Sequence, residues 1–174
     1  MQKILTSLPA NFPVPILIAQ HMPGNFTGFF AKRLDSICAI KVKEAVNGEA
    51  AKPGTAYVCP GGWHLRLEKK GAGFVCNVSP NPQDAAYKPT VNVLMESAAN
   101  LCGKRALGLM LTGMGNDGLL GAKVLKAKGG TMLAQSEATC VVYGMPRVII
   151  EAKLADAILD DDKIANALLD KFKA

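Results

Sequence analysis

Short apolar runs alternate with longer helical patterns along most of the chain. The run PILIA at residues 15–19 is bounded by prolines, and residues 55–59 and 106–111 are similar short runs. Runs of this length and composition are typical of strands that are buried on both faces. A further strand is predicted at residues 131–134. The repeated order of strand, loop and helix is the main organising feature of the sequence.

One region has the period of two that is typical of a hairpin. Leu65 and Leu67 alternate with polar residues, and Phe74, Cys76 and Val78 do the same after the turn sequence KKGAG. The pattern predicts an antiparallel hairpin with one face exposed to solvent.

Helical periodicity follows most of the predicted strands. The segment after Pro89 has apolar residues on one helix face, namely Val91, Leu94, Met95, Ala98 and Leu101. Thr90 is a candidate N-cap of this helix, and a helix over 119–128 is predicted to end at Gly129 in a left-handed conformation. Further helical stretches are predicted at 2–8, from about Phe29 to Leu34, at 148–154 and at 163–172.

This alternation predicts the fold class. We expect an α/β fold with a doubly wound, mostly parallel sheet, helices on both faces and a small antiparallel hairpin. With 174 residues the chain is expected to form one domain over residues 1–174. In such sheets ligands bind where strands end and helices begin, so these junctions are where we look for chemistry.

Composition and charge exclude several classes of protein. Hydrophobic residues make up 49% of the chain, and 20 basic against 14 acidic residues give a net charge of +6. The lysines are dispersed and are not interleaved with aromatic residues, which indicates a solvated surface rather than a nucleic-acid groove. A positive surface would still favour an acidic partner. No apolar run approaches the roughly 20 residues that span a bilayer.

The cysteines and histidines predict a reduced protein without metal. The five cysteines are odd in number, no two form a C-x-x-C pair, and no secretory segment begins the chain. They are therefore interpreted as reduced, mostly buried thiols of a cytoplasmic protein. With two histidines and no clustered thiols, we expect no zinc site and no cofactor.

His21 lies in the sequence QHMP, directly after the predicted strand that ends at Ala19. It would therefore stand at the carboxyl edge of the sheet, although a single histidine is more often structural. His64, beside Trp63 at the start of the hairpin, is expected to be structural.

The stretch LTGMGNDGLLGAK at residues 111–123 has two interpretations. Gly113, Gly115 and Gly118 spell G-x-G-x-x-G, the outline of a dinucleotide-binding turn, and Glu137 stands near the position of a ribose-binding acid. However, Asp117 would repel a pyrophosphate, and the loop comes late in the chain for a two-halved nucleotide fold.

In the second interpretation the glycines allow a sharp turn that presents Asp117. Its carboxylate would accept the Nδ1 proton of His21 from the neighbouring junction and support the imidazolium during proton transfer. His21 and Asp117 would then be two members of a nucleophilic triad.

Four motifs in this order carry a resemblance to a known family. QHMP after a strand, PTVNVL at the start of a helix, LTGMGNDG and finally GMPR resemble the catalytic domain of the chemotaxis protein-glutamate methylesterases, CheB. The resemblance covers residues from about 1 to 155. It implies hydrolysis of glutamyl methyl esters on methyl-accepting chemotaxis receptors, in some cases deamidation of receptor glutamines, and a receiver domain elsewhere in the full-length protein.

The resemblance also implies roles for particular residues. The family's catalytic histidine corresponds to His21, its aspartate to Asp117 and its pocket methionine to Met114, with Gly113 and Gly115 beside it in the substrate and oxyanion pocket.

The family's nucleophile is a serine in a G-x-S-x-G-G turn after the first strand, and no such turn is found in residues 1–174. None of the serines has flanking glycines: Ser7, Ser36, Ser79, Ser97 and Ser136. We therefore expect that the chain lacks the family's first strand and its receiver domain, that it is inactive alone, and that exposed strand edges promote self-association. A non-catalytic receptor-binding module and a nucleotide-binding domain remain as alternatives.

The start of the helix after Pro89 departs from the family pattern. Many relatives carry serine and aspartate where Thr90 and Asn92 stand here. Asn92 is expected either to face the substrate groove, where the change removes a negative charge, or to be a tolerated surface replacement.

Overall fold

The computed structural model describes residues 1–173, which form two compact units. The first comprises residues 1–90 together with the segment from residue 165 onward, and the second comprises residues 91–164. Each unit contains a three-stranded parallel sheet with helices, and the first also contains an antiparallel hairpin. The predicted α/β class with parallel strands, flanking helices and a small hairpin is confirmed.

The sheet of the first unit has the strand order β1-β3-β2. Its strands are β1 (Ile16–Ile18), β2 (Lys41–Glu44) and β3 (Thr55–Val58), all parallel. All four residues of β3 are buried, because a central parallel strand is covered on both faces. This explains why β3 has a continuous apolar pattern in the sequence.

Three helices and a hairpin complete the first unit. Helix α2 (Gly24–Asp35) buries one face, which carries Thr27, Ala31 and Leu34. The hairpin of β4 (His64–Lys70) and β5 (Gly73–Ser79) pairs Leu67 with Cys76, as the period of two predicts. The short helix α1 spans Gln2–Leu5, and most of α6 (Ile164–Lys171) also belongs here.

The second unit repeats the order of helix and strand three times. It contains α3 (Val91–Cys102), β6 (Leu107–Met110), α4 (Leu119–Ala127), β7 (Thr131–Gln135), α5 (Met145–Glu151) and β8 (Ala157–Leu159). The sheet order is β6-β7-β8 and all three strands are parallel. A core cluster that includes Met95, Ala99, Leu125, Met132 and Ile149 joins the helices to this sheet.

Helix α4 ends in a Schellman motif at the predicted glycine. Gly129 has φ +77°, and the N–H of Gly130 donates to the carbonyl of Leu125 over 2.9 Å. The N–H of Gly129 donates to the carbonyl of Lys126 over 3.0 Å. These two bonds satisfy carbonyl groups that the last helical turn leaves without partners.

Several boundaries differ from the sequence prediction. Helix α2 begins at Gly24 and α5 at Met145, both earlier than expected. In α3 the fully buried alanine is Ala99 rather than Ala98. The short strands β2 and β8 were not predicted. No helix within residues 1–173 is long and apolar enough to cross a bilayer.

Two leucines of α4 provide a matched test of the packing in the second unit. Leu125 is 1% exposed and Leu120 is 58% exposed. We expect Leu125→Ala to lower the free energy of unfolding by about 2–5 kcal/mol, because it leaves a cavity in the core. Leu120→Ala should change it by less than about 0.5 kcal/mol. Urea unfolding of both variants measures the difference, and equal effects would contradict the described packing.

The cysteines are only partly as predicted. All five are free, but only Cys59 and Cys76 are buried, and the other three are half-buried. Burial raises the pKa of the Cys59 thiol to about 12, with the Glu44 carboxylate adding to the effect. Burial also raises the pKa of Cys76 to about 12, with Glu49 nearby.

These raised pKa values predict a pattern of alkylation. At mildly alkaline pH, Cys59 and Cys76 should stay protonated in the folded chain and react with iodoacetamide far more slowly than Cys140, as peptide mass spectrometry can measure. In the unfolded chain both thiols ionise near pH 9, so the stability that their protonation provides is complete below that pH. It is lost as the pH rises towards about 12. Equal labelling of Cys59 and Cys140 would contradict this expectation.

Candidate active site

In the first unit, His21 lies in the loop between β1 and α2. Strand β1 ends at Ile18 and α2 begins at Gly24, so the imidazole stands beyond the carboxyl end of a parallel strand. The ring of His21 is stacked on that of Tyr87, with 4.6 Å between the ring centroids and 7° between the planes. Sequence reasoning did not identify Tyr87.

A cavity of about 430 Å³ opens beside this stacked pair. The residues that line it include Met22, Gly24, Gly62 and Lys88 as well as the two stacked rings. All of them belong to the first unit. The cavity combines an imidazole, an aromatic ring and a lysine, so it offers both apolar and polar contacts to a ligand.

His64 is completely buried and anchors the segment that carries Tyr87. Its Nε2 lies 3.1 Å from the carbonyl oxygen of Pro82, and its Nδ1 lies 3.3 Å from the backbone nitrogen of Thr90. Because a carbonyl can only accept and an N–H can only donate, the ring is neutral with its proton on Nε2. The expected structural role of His64 is confirmed.

In the second unit, the Asp117 carboxylate is bound to the first turn of α3. Asp117 is 4% exposed. Its Oδ2 accepts from the N–H of Val91 over 2.7 Å, and its Oδ1 accepts from the N–H of Asn92 over 3.2 Å. These N–H groups have no partner within the helix, and the positive end of the helix stabilises the negative charge.

The glycines of the loop serve packing in the second unit. Gly115 and Gly118 have φ values of +90° and +96°, which favour glycine. A Cβ on Gly118 would lie 2.3 Å from Cε of Met110, and one on Gly113 would lie 2.5 Å from Sδ of Met145. Protein side chains therefore fill the space beside two of the three glycines in the G-x-G-x-x-G pattern.

Asn92 joins α3 to α4. Its Oδ1 accepts from the N–H of Gly121 over 2.8 Å. A phosphate bound at the start of α4 would need backbone N–H groups of this kind, and here the Asn92 side chain already occupies one of them. Asn92 is therefore not merely a tolerated surface replacement. This contact and the packed glycines account for the loop sequence without a nucleotide.

Met114 is presented on a fixed backbone. Its side chain is 80% exposed, whereas the preceding residue Gly113 donates to the carbonyl of Val142 over 3.0 Å and accepts from the N–H of Met145 over 2.8 Å. The buried Gln135 accepts from the N–H of Thr112 over 2.9 Å. No local sequence pattern predicts this contact of Gln135, because its partner Thr112 lies on another loop.

None of the cysteines has the features of a substitute nucleophile. Burial raises the pKa of each thiol above its ordinary value. The thiolate is the nucleophilic form, and it is disfavoured at all five positions. Within residues 1–173, no group of three histidine, cysteine or acidic side chains is arranged to hold a metal ion.

The predicted site residues are therefore divided between the two units. His21 belongs to the first unit, whereas Gly113, Met114, Gly115 and Asp117 share one loop of the second. The pairing of His21 with Asp117 stays a prediction.

The contacts of Asp117 predict a measurable effect on stability. Asp117→Asn removes the negative charge and replaces one accepting oxygen by an NH₂ group, which cannot accept from a backbone N–H. We therefore expect it to lower the free energy of unfolding by about 1–3 kcal/mol. The exposed Asp84→Asn is the matched control and should change it by less than about 0.5 kcal/mol. Denaturant titration measures both, and a neutral Asp117→Asn would show that the carboxylate does not hold the start of α3.

Comparison with known proteins identifies the family. The family model described as CheB methylesterase matches residues 1–168. The protein-glutamate methylesterase/protein-glutamine glutaminase 2 of Nitratidesulfovibrio vulgaris is 60% identical over 169 residues, which cover 97% of this chain and 46% of the relative. The corresponding protein of Lawsonia intracellularis is 56% identical over 165 residues, covering 95% of this chain and 46% of the relative.

A solved structure is similar over nearly the whole chain. The crystal structure of the Thermotoga maritima CheB methylesterase catalytic domain matches with a TM-score of 0.94 and 40% identity, covering 97% of this chain and 89% of that one. The chain spans about half the length of the curated relatives that it matches. The 174 residues belong to the CheB methylesterase family.

Proposed function

We propose that the chain is the greater part of the catalytic domain of a protein-glutamate methylesterase, a carboxylic ester hydrolase. The observation that carries this proposal is the 60% identity to a protein named for that activity, over 97% of the chain. The proposed substrates are glutamyl methyl esters on methyl-accepting chemotaxis receptors in the cytoplasm. The name of the same relative includes protein-glutamine glutaminase, so deamidation of receptor glutamines is part of the proposal.

The proposed mechanism assigns a role to each half of the candidate site. A serine hydroxyl attacks the ester carbonyl while His21 takes its proton, and Asp117 supports the imidazolium that results. Backbone N–H groups beside Met114 and the serine stabilise the oxyanion. Methanol leaves with the proton from His21, and a water molecule that His21 activates then releases the glutamate.

Residues 1–174 contain no G-x-S-x-G turn, and the raised pKa values of the cysteines disfavour a thiolate in its place. We therefore propose that these residues alone form no acyl-enzyme. Among the described strands, β1 pairs only with β3 and β6 only with β7. Each has an unpaired edge, which supports the proposal that the chain self-associates.

A second candidate is a receptor-binding module without catalysis. The absence of a serine turn from residues 1–174 favours it, because the cavity beside His21 could hold a receptor segment without cutting it. The esterase and the binding module differ in one respect: adding a serine nucleophile should produce methanol release only in the esterase. In the proposed full-length protein, a receiver domain would be a further partner.

Restoring the nucleophile tests the proposed function. We expect that a strand and a G-x-S-x-G-G turn fused before residue 1 will make the protein release methanol from methylated receptors, as gas chromatography can measure. In this fusion, Asp117→Asn should lower kcat by about 10⁴-fold, by analogy with other triads. His21→Ala should abolish turnover.

The controls separate loss of chemistry from loss of folding. A fluorophosphonate probe should label the introduced serine stoichiometrically and should label no serine of the unmodified chain. The exposed variant Asp162→Asn, outside the loops of the candidate site, should keep the turnover of the fusion. A folded fusion that binds methylated receptors without releasing methanol would favour the non-catalytic alternative.

A further inference from the structure

We propose that Tyr87 is a positioning residue for His21, and that the segment 82–90 is the arm that holds Tyr87 in place. The role of His21 in catalysis rests on the proposed function. The positioning itself is a property of residues 1–174 and can be measured without any activity.

The rings of His21 and Tyr87 are stacked in parallel, which is the first observation that supports a positioning role. A centroid distance of 4.6 Å and an angle of 7° describe parallel stacking within the range of favourable aromatic pairs. The second side-chain torsion of histidine is otherwise broad. A ring lying flat against the imidazole restricts this torsion, so Tyr87 fixes the plane in which the two nitrogens of His21 point.

The chemistry of a general base explains why stacking suits this position. In a triad, one imidazole nitrogen faces the nucleophile and the other faces the carboxylate. A stacked ring touches only the face of the imidazole, so Tyr87 orients His21 without itself occupying either nitrogen.

Tyr87 needs an anchor, because its own side chain is 41% exposed. The buried His64 ring anchors both ends of the arm by hydrogen bonds, one to the carbonyl of Pro82 and one from the N–H of Thr90. Between these ends, the carbonyl of Lys88 accepts from the N–H of Gly62 over 3.0 Å. The arm is thus fixed to the turn that begins the hairpin.

The same turn also packs against the His21 loop. A Cβ on Gly61 would lie 2.3 Å from the carbonyl oxygen of Met22 and 2.4 Å from the nitrogen of Gly24. The N–H of Gly61 donates to Oγ1 of Thr27 in α2 over 3.1 Å. The turn around Gly61 therefore contacts both the loop that carries His21 and the arm that carries Tyr87, which sets the distance between the two rings.

Proton NMR of the 174-residue chain tests the positioning directly, because the chain contains only two histidines. In the wild type, the imidazole protons of His21 should be shifted upfield by the Tyr87 ring. Tyr87→Leu should remove this shift, and Tyr87→Phe should keep it, since the ring and not the hydroxyl makes the contact. The resonances of His64 should stay unchanged in both variants and report that the arm is folded.

Chemical modification gives a second readout of the same contact. Diethyl pyrocarbonate should modify His21 several-fold faster in Tyr87→Leu than in the wild type, with Tyr87→Phe close to the wild type. His64 is 0% exposed and should remain unmodified. Unchanged His21 resonances and labelling in Tyr87→Leu would overturn the proposal, as would a Tyr87→Phe variant that behaves like Tyr87→Leu.

The fusion that carries a restored serine links the contact to turnover. Tyr87→Leu should lower kcat by about 10- to 100-fold with a smaller change in KM, and Tyr87→Phe should recover most of this loss. Phe29→Leu is the matched control, because Phe29 is 74% exposed on α2. An inactive fusion would count against the proposed function and leave the NMR result for Tyr87 intact. An active fusion with normal kcat in Tyr87→Leu would overturn the positioning role.

Discussion

The second unit depends on one buried charge. Removing a carboxylate from water is costly unless hydrogen-bond donors replace the lost hydration. The Asp117 carboxylate accepts from the N–H groups of Val91 and Asn92, and the positive end of α3 stabilises its charge. The loop must turn sharply to bring the carboxylate there, which requires the left-handed backbone of Gly115 and Gly118. The sequence GMGNDG is therefore explained by the need to deliver one aspartate to one helix terminus.

His21 and Asp117 are held by the same principle in different units. Asp117 accepts from two backbone N–H groups of α3, and the ring of Tyr87 is stacked on the face of the His21 imidazole. In both cases a contact within the unit orients the side chain. A catalytic group held in this way pays little reorganisation during the reaction, which is the basis of electrostatic preorganisation.

The sequence predicted the elements with strong periodicity and the residues that follow strands. Strand β3 and the hairpin were predicted because their apolar patterns are continuous or strictly alternating. Strand β2 has the same length as β3, but three of its four residues, KVKE, are charged, so it shows no apolar run. His21 was found as a polar residue at the end of a strand. The contacts of Tyr87, Asn92 and Gln135 were not found, because each joins segments that are distant along the chain and no local pattern records them.

The local order of the candidate site comes from residues within the chain itself. His64 and the turn around Gly61 hold the arm of Tyr87 in the first unit. In the second unit, the N–H groups of Thr112 and Gly113, just before Met114, donate to Oε1 of Gln135 and to the carbonyl of Val142. None of these contacts involves a nucleophilic serine. Each part of the candidate site is therefore ordered by contacts within its own unit of residues 1–173.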